Sequence, residues 1–140
     1  MKTKILILWL FICGAIMPLY SQTYSEADIN ELKLIAKRTD FTGALNWLSD
    51  RPYEWQKVVW KEYDGIKKVY KLNLNFCNLS GELDLRKLDK LEVVYCYNNQ
   101  LRKIYTPETE LFEILYCQNN NLEPFGLSVF RSKNLEELFC

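Results

Sequence analysis

Four of the five cysteines are the residues whose type and spacing could carry chemistry in this chain. They are Cys77, Cys96, Cys117 and Cys140, whereas Cys13 lies in an apolar stretch near the amino terminus. A cysteine can form a disulfide, bind a metal or pack as a small apolar group. Because the chain has no histidine and no tight C-x-x-C pair, a metal site is the weakest of these three interpretations.

All four of these cysteines belong to a sequence pattern that occurs four times. The four segments are VYKLNLNFCNL (69–79), LEVVYCYNNQL (91–101), FEILYCQNNNL (112–122) and LEELFC (135–140). The middle apolar position is filled, in chain order, by Leu74, Cys96, Cys117 and Cys140. These residues are 22, 21 and 23 positions apart. Such a period indicates a solenoid, in which each unit buries its apolar face against its neighbours.

Each segment fits L-x-x-L-x-L-x-x-N/C-x-L, and the pattern resembles leucine-rich repeat proteins. The fourth position holds Leu72, Val94, Leu115 and Leu138. The resemblance implies an α/β solenoid, a right-handed superhelix with short parallel strands. It also implies a structural ladder at the ninth position, where an asparagine side chain bonds to backbone groups of its own and the adjacent turn. That position holds Cys77, Asn99 and Asn120.

The cysteine column has two open interpretations once it is placed on strands. Alternation along each strand puts Cys96, Cys117 and Cys140 at one inward-facing position. A column of buried free thiols is the interpretation we favour, and a disulfide between neighbouring strands is the alternative. No cofactor is predicted. With neither a histidine partner for a nucleophile nor a phosphate-binding loop, the sequence predicts a protein that is not an enzyme.

The third, fifth and seventh positions of each unit are predicted to form the concave binding face. They are Lys71, Asn73, Asn75, Val93, Tyr95, Tyr97, Ile114, Tyr116, Gln118, Glu137 and Phe139. Tyr95, Tyr116 and Phe139 would form an aromatic column across the strands. Such a stripe offers a large contact area with little rotamer entropy to lose, which suits protein recognition. The alternative is that these pairs only stabilise the sheet.

Residues 1–21 have the layout of a secretory signal peptide. Lys2 and Lys4 precede an apolar run over 5–19, and we predict cleavage after Ser21. The segment resembles Bacteroidetes export signals. An uncleaved anchor helix is the alternative, although the run is short for a membrane span. The prediction is a secreted or cell-surface protein with no membrane span after cleavage.

Residues 22–65 are predicted to be a helical, Trp-rich cap. Ser25 can cap a helix over about 26–38. Trp47 and Trp55 follow, and the segment resembles the cap that precedes plant-type and many bacterial leucine-rich repeats. Such a cap covers the open apolar edge of the first repeat. A sugar-binding tryptophan platform is the alternative.

Residues 66–140 are predicted to hold about three and a half repeats, the last one truncated, so we expect a fragment of a longer protein. Pro107 predicts an extended return segment over 102–110. With 18 basic and 18 acidic residues, the chain has no long-range attraction to nucleic acid. By resemblance, the function is noncovalent recognition of an unknown protein or peptide on the concave face. A glycan-binding adhesin module using Tyr95, Tyr97 and Tyr116, or a stalk of a larger exported protein, are the alternatives.

Overall fold

The part of the chain that the structure describes forms a parallel-strand β-solenoid of about three turns, with a short helix before it. The structure is a computed structural model that describes residues 23–39, 46–129 and 133–140. The predicted signal peptide and residues 40–45 of the predicted cap lie outside the described residues.

The helix α1 spans Glu26–Arg38, which confirms the prediction for this segment. The Ser25 hydroxyl accepts a hydrogen bond from the Asp28 amide at 3.3 Å and so pairs one of the free amides of the first turn. Acidic residues in the first turn and basic residues in the last turn complement the helix dipole. Leu32 and Ile35 are buried, so the helix packs on the solenoid through one face.

The main sheet has six strands. They are β1 (Thr23–Tyr24), β2 (Val58–Tyr63), β3 (Ile66–Asn73), β5 (Val93–Tyr95), β7 (Ile114–Tyr116) and β9 (Glu137–Phe139). Strands β3, β5, β7 and β9 are parallel neighbours in that order, and β2 pairs with β3 in antiparallel fashion. The fourth positions of the repeats are directly opposite one another in this register: Leu72, Val94, Leu115 and Leu138. The stacked repeat architecture is therefore confirmed.

The segments that return from one main-sheet strand to the next also contain strands. They are β4 (Ser80–Asp84), β6 (Gln100–Tyr105) and β8 (Leu127–Ser128), which form a parallel three-stranded sheet. Residues 102–105 of the return predicted to be extended over 102–110 lie in β6, whereas Pro107 follows the end of that strand. In the described part of residues 66–140 no return contains a helix, so the expected α/β character of the repeats is not confirmed. The repeats form a β-solenoid, with strands on both sides of the core.

One hydrophobic cluster joins the two sheets and the helix. Its fully buried side chains include Leu32, Leu72, Leu83, Val94, Leu101, Ile104 and Leu115. Each such side chain contributes about 1.5–3 kcal/mol when it leaves water. Since no single turn could bury these groups alone, the turns stabilise one another.

The tryptophan-rich segment is mostly not helical in its described part. Pro52–Glu54 forms a single 3-10 turn, and Val58–Tyr63 forms strand β2. The helical character predicted for residues 22–65 is found in α1, while the Val-Val-Trp run pairs with β3 because β-branched and aromatic residues fit a sheet. Trp47 and Trp55 are buried in the common core with ring centroids 6.4 Å apart.

Candidate binding face

The eleven predicted outward residues all lie on strands or strand extensions of the main sheet, and none belongs to the buried core cluster. The inward residues between them do: Leu72, Leu74, Val94, Cys96, Leu115 and Cys117. We call the eleven residues the outer face. Alternation along the strands therefore separates the outer face from the core, as the sequence predicts. Val93 is the exception: its side chain is buried, with 6% of its surface exposed, so the prediction that it forms part of an exposed face is wrong for this residue.

Main-chain pairing aligns the outer face into rows that cross the strands. One row is Lys71, Val93, Ile114 and Glu137, and the next is Asn73, Tyr95, Tyr116 and Phe139. A hydrogen bond from the Phe76 amide to the Tyr97 carbonyl at 3.2 Å continues the alignment beyond the end of β3. The structure thus brings residues separated by more than twenty positions in sequence to adjacent places on one surface.

The aromatic column predicted on this face is present. The ring centroids of Tyr95 and Tyr116 are 5.1 Å apart, and those of Tyr116 and Phe139 are 4.9 Å apart. The two tyrosines are half-buried and Phe139 is exposed. Tilted and edge-on ring contacts of this kind contribute about 0.5–1.5 kcal/mol each, so the column stabilises the sheet while presenting ring surface to solvent.

Charged side chains contact two rings of the aromatic column. The Lys71 ammonium lies 4.4 Å from the ring centroid of Tyr95, at one end of the column. In the middle of the column, the Tyr116 hydroxyl donates a hydrogen bond to the Glu137 carboxylate. This hydrogen bond is the main reason why the pKa of Tyr116 is raised above its usual value, because removing the proton would place two negative charges side by side.

A cluster beside the outer face involves residues that the sequence analysis did not single out. The Lys61 ammonium lies 4.7 Å from the ring centroid of Tyr70 and 3.2 Å from a carboxylate oxygen of Glu92. The Tyr63 hydroxyl donates to the same carboxylate at 3.0 Å. The sequence does carry a signal for this position, since the second residue of three successive repeats is glutamate, at 92, 113 and 136.

The ninth-position side chains pair buried backbone groups of neighbouring turns. The Asn99 carbonyl oxygen accepts from the amides of Cys77 and Leu79 at 3.1 and 3.0 Å, and its amide group donates to the carbonyls of Leu74 and Cys96. Asn120 accepts from Leu101 and donates to Cys96 and Cys117. A thiol cannot replace this pattern: Cys77 donates one weak bond, to the Asn75 carbonyl.

The inward column of cysteines contains a free thiol and a disulfide, the two states that the sequence leaves open. Cys96 is a buried free thiol, and burial raises its pKa to about 12. Cys117 forms a disulfide with Cys140 on the next strand, with the two Cα atoms 4.6 Å apart. The interpretation of a wholly free column is therefore wrong for this pair, because in-register neighbours on parallel strands are close enough to bond.

No protein-family model, curated protein or solved structure matches this chain. The outer face must accordingly be interpreted from its own chemistry. Residues 23–39, 46–129 and 133–140 contain no group of His, Cys, Asp and Glu side chains that could hold a metal ion. None of the helices in that part of the chain is long and apolar enough to cross a membrane.

A groove of about 430 Å³ lies among residues of α1, β4 and β6, away from the outer face. It is lined by Arg38, Ser80, Gly81, Gln100, Arg102 and Asn121. Its two arginines already approach acidic partners, since Arg38 lies 3.6 Å from Asp84 and Arg102 lies 3.6 Å from Glu123. The positive charge of the groove is thereby offset, which disfavours an anion site.

Proposed function

We propose that this chain is a leucine-rich repeat-like module that binds a protein or peptide segment noncovalently through its outer face. The observation that carries the proposal is the aromatic column Tyr95–Tyr116–Phe139 on the solvent side of the sheet. Each of these rings keeps part of its surface in contact with solvent, and a partner that covers this surface gains a rigid apolar contact. We further propose that the module is not an enzyme.

The leucine-rich repeat assignment is supported by the repeat period and by the bonds of Asn99 and Asn120, which connect adjacent turns at one register position. We propose that the tryptophan-rich segment is the cap of this solenoid. Strand β2 pairs with β3, and the ring of Trp60 on β2 lies 6.2 Å from the ring of the buried Trp55. Both features cover the amino-terminal edge of the repeats.

Export through the predicted signal peptide would place the module at the cell surface or outside the cell. This proposal agrees with the presence of a disulfide between Cys117 and Cys140, because disulfides persist in oxidising compartments.

Selection from a displayed peptide library tests the proposal without knowledge of the natural partner. Peptides retained by the full chain should bind Tyr116→Ala at least about tenfold more weakly, since the central ring of the column is lost. Tyr53→Ala is the matched control, because Tyr53 is exposed on the 3-10 turn, outside the outer face. Equal loss of binding in both variants, or in neither, would refute the proposal.

A neutral glycan is the second candidate ligand, and one observation favours it. The exposed Phe76 and the half-buried Tyr97 form an edge-on pair with ring centroids 5.5 Å apart, beside the linked side-chain amides of Asn98 and Asn119. Aromatic rings with neighbouring amides can stack on sugar rings and bond their hydroxyl groups. A glycan array probed with the full chain and with Tyr97→Ala distinguishes this ligand, because a peptide-specific module gives no Tyr97-dependent glycan signal.

A further inference from the structure

The first turns of the sheet hold several lysine side chains against rings, and two of these lysines lie on or beside the outer face. Lys61 lies over Tyr70 and forms an ion pair with Glu92, and Lys71 lies over Tyr95. Each lysine ammonium therefore contacts an electron-rich group on the solvent side of the main sheet. That group is either a carboxylate just before a strand or an aromatic ring on a strand. A cation held between such groups is attracted by the negative charge and by the ring face.

Equivalent glutamates and aromatic rings recur in the later turns, but no lysine that the structure describes contacts them. Main-chain hydrogen bonds place Glu113 beside Glu92 and Glu136 beside Glu113, with N···O distances of 2.9 and 2.8 Å. Neither Glu113 nor Glu136 forms an ion pair with any residue that the structure describes. Likewise, within the described chain no cation lies over the rings of Tyr116 or Phe139.

This arrangement leaves negative charge at one end of the outer face. Glutamates at one register position of adjacent parallel strands are about 5 Å apart, so they repel one another. Lys61 offsets the charge of Glu92, and Lys133, the lysine described nearest in sequence to β9, pairs with Glu110 at 3.5 Å. Glu113 and Glu136 are left for an external cation, with Glu137 bound to a tyrosine hydroxyl beside them.

We infer that the segment bound by the outer face is basic and extended, with lysine or arginine side chains at Glu113, Glu136, Tyr116 and Phe139. These side chains take the places that Lys61 and Lys71 take at Glu92 and Tyr95. The inference rests on the proposed function and names the chemical class of its partner. Charge complementarity selects a basic segment over a neutral or acidic one, and the apolar row through Ile114 accepts the residues between the basic ones.

Two synthetic peptides test this inference on the full chain. One is an octapeptide of alternating lysine and valine, and the other is the same peptide with every lysine acetylated. We expect the lysine peptide to bind at least about tenfold more tightly, and its Kd to rise steeply between about 50 and 200 mM salt. In the double variant Glu113→Gln, Glu136→Gln the lysine peptide should lose about tenfold in affinity.

Glu62→Gln is the matched control, because Glu62 is an exposed carboxylate on β2 at the opposite edge of the sheet. It should leave the affinity unchanged. Lys61→Gln provides a variant that gains binding. Without Lys61 the acceptors Glu92 and Tyr70 become available, and the lysine peptide should bind several-fold more tightly.

The outcomes separate the inference from the function on which it rests. Equal binding of both peptides, with weakening only by Tyr116→Ala, overturns the basic partner and leaves protein recognition standing. Library selection that returns only neutral or acidic peptides has the same meaning, as does failure of the lysine peptide to bind. If no selected peptide depends on Tyr116, both the inference and the proposed function fail.

Discussion

The two edges of the six-stranded sheet place equivalent repeat positions in opposite surroundings. At one edge, β3 pairs with β2, the strand that carries Trp60, and the Leu72 side chain of β3 is 0% exposed. At the other edge, the described residues place no strand on the far side of β9. There Leu138, at the same register position, is 44% exposed.

The difference shows that the repeat position alone does not set burial. Leu72 and Leu138 occupy the same place in the sequence pattern, yet one contacts atoms on every side and the other faces water. In a solenoid the neighbouring turn supplies most of the contacts of each residue. Stability, hydrogen bonding and side-chain chemistry should therefore all change from the β3 edge to the β9 edge.

The largest expected effect compares two leucines. Leu72→Ala should lower the free energy of unfolding by about 3 kcal/mol, because it removes buried atoms and leaves a cavity. Leu138→Ala should cost less than about 1 kcal/mol, since much of that side chain is already hydrated. Urea unfolding followed by tryptophan fluorescence measures both values. Equal losses would show that the β9 edge is covered in solution.

The next effect compares the two ladder asparagines. Asn99→Ala should cost about 2 kcal/mol, because it leaves the part-buried amide of Cys77 and the buried amide of Leu79 without a partner. Asn120→Ala should cost about 1 kcal/mol, since Asn120 accepts from the single amide of Leu101 and is less buried. Thermal unfolding of both variants gives the order. A larger loss of stability for Asn120→Ala than for Asn99→Ala would contradict the expected difference between the two edges of the sheet.

Alkaline pH should lower the stability of the protein because the Cys96 thiol is buried. The unfolded Cys96 thiol loses its proton near pH 9, whereas the folded protein holds that proton until about pH 12. Unfolding between these values releases a proton, so stability falls as pH rises, by about 1.4 kcal/mol at pH 10 from this group.

The matched variant for this prediction is Cys96→Ala, which should be less stable at pH 7 but should lose this part of the alkaline slope. Cys117 and Cys140 form a disulfide and do not contribute to the slope. Urea unfolding at pH 7, 9 and 10 (values chosen around the folded and unfolded pKa) tests it. Identical slopes for the two proteins would contradict the burial of Cys96.

The smallest expected effect is a gain in stability. Phe125 is fully exposed and adopts a φ of 64°, a conformation in which a bulky side chain is strained. Phe125→Asn should therefore raise the free energy of unfolding by about 1 kcal/mol. Phe76 has a similar φ of 55° but packs on Tyr97, so Phe76→Asn should gain less. A loss of stability in Phe125→Asn would point to a contact made by that ring.

Particular elements show how far the sequence could predict this molecule. The helix over 26–38 was predictable because Ser25 and the apolar spacing are local signals, and α1 has those bounds. The register of Tyr95 and Tyr116 was also predictable, since a constant repeat places them on adjacent strands. Strand β2 was not, because its six residues become a strand only by pairing with β3.

The candidate site also has features that the sequence predicts and features that it does not. Alternation identified the outer-face residues, but the Lys61–Glu92 ion pair joins residues 31 positions apart and depends on the antiparallel turn-back of β2. The disulfide joins Cys117 to Cys140 and leaves Cys96 free, although the repeat gives all three the same position. Neither choice has a local signature.

The repeat period, the separation of inward from outward side chains and the positions that need an asparagine can be read from the amino-acid sequence. These properties follow from backbone alternation and from donors and acceptors that every turn must satisfy. The pairing of the returns as the β4–β6–β8 sheet, and the burial of Leu72 against the exposure of Leu138, arise from tertiary packing. These properties depend on the neighbour that packs against each turn, and one repeat does not encode its neighbour.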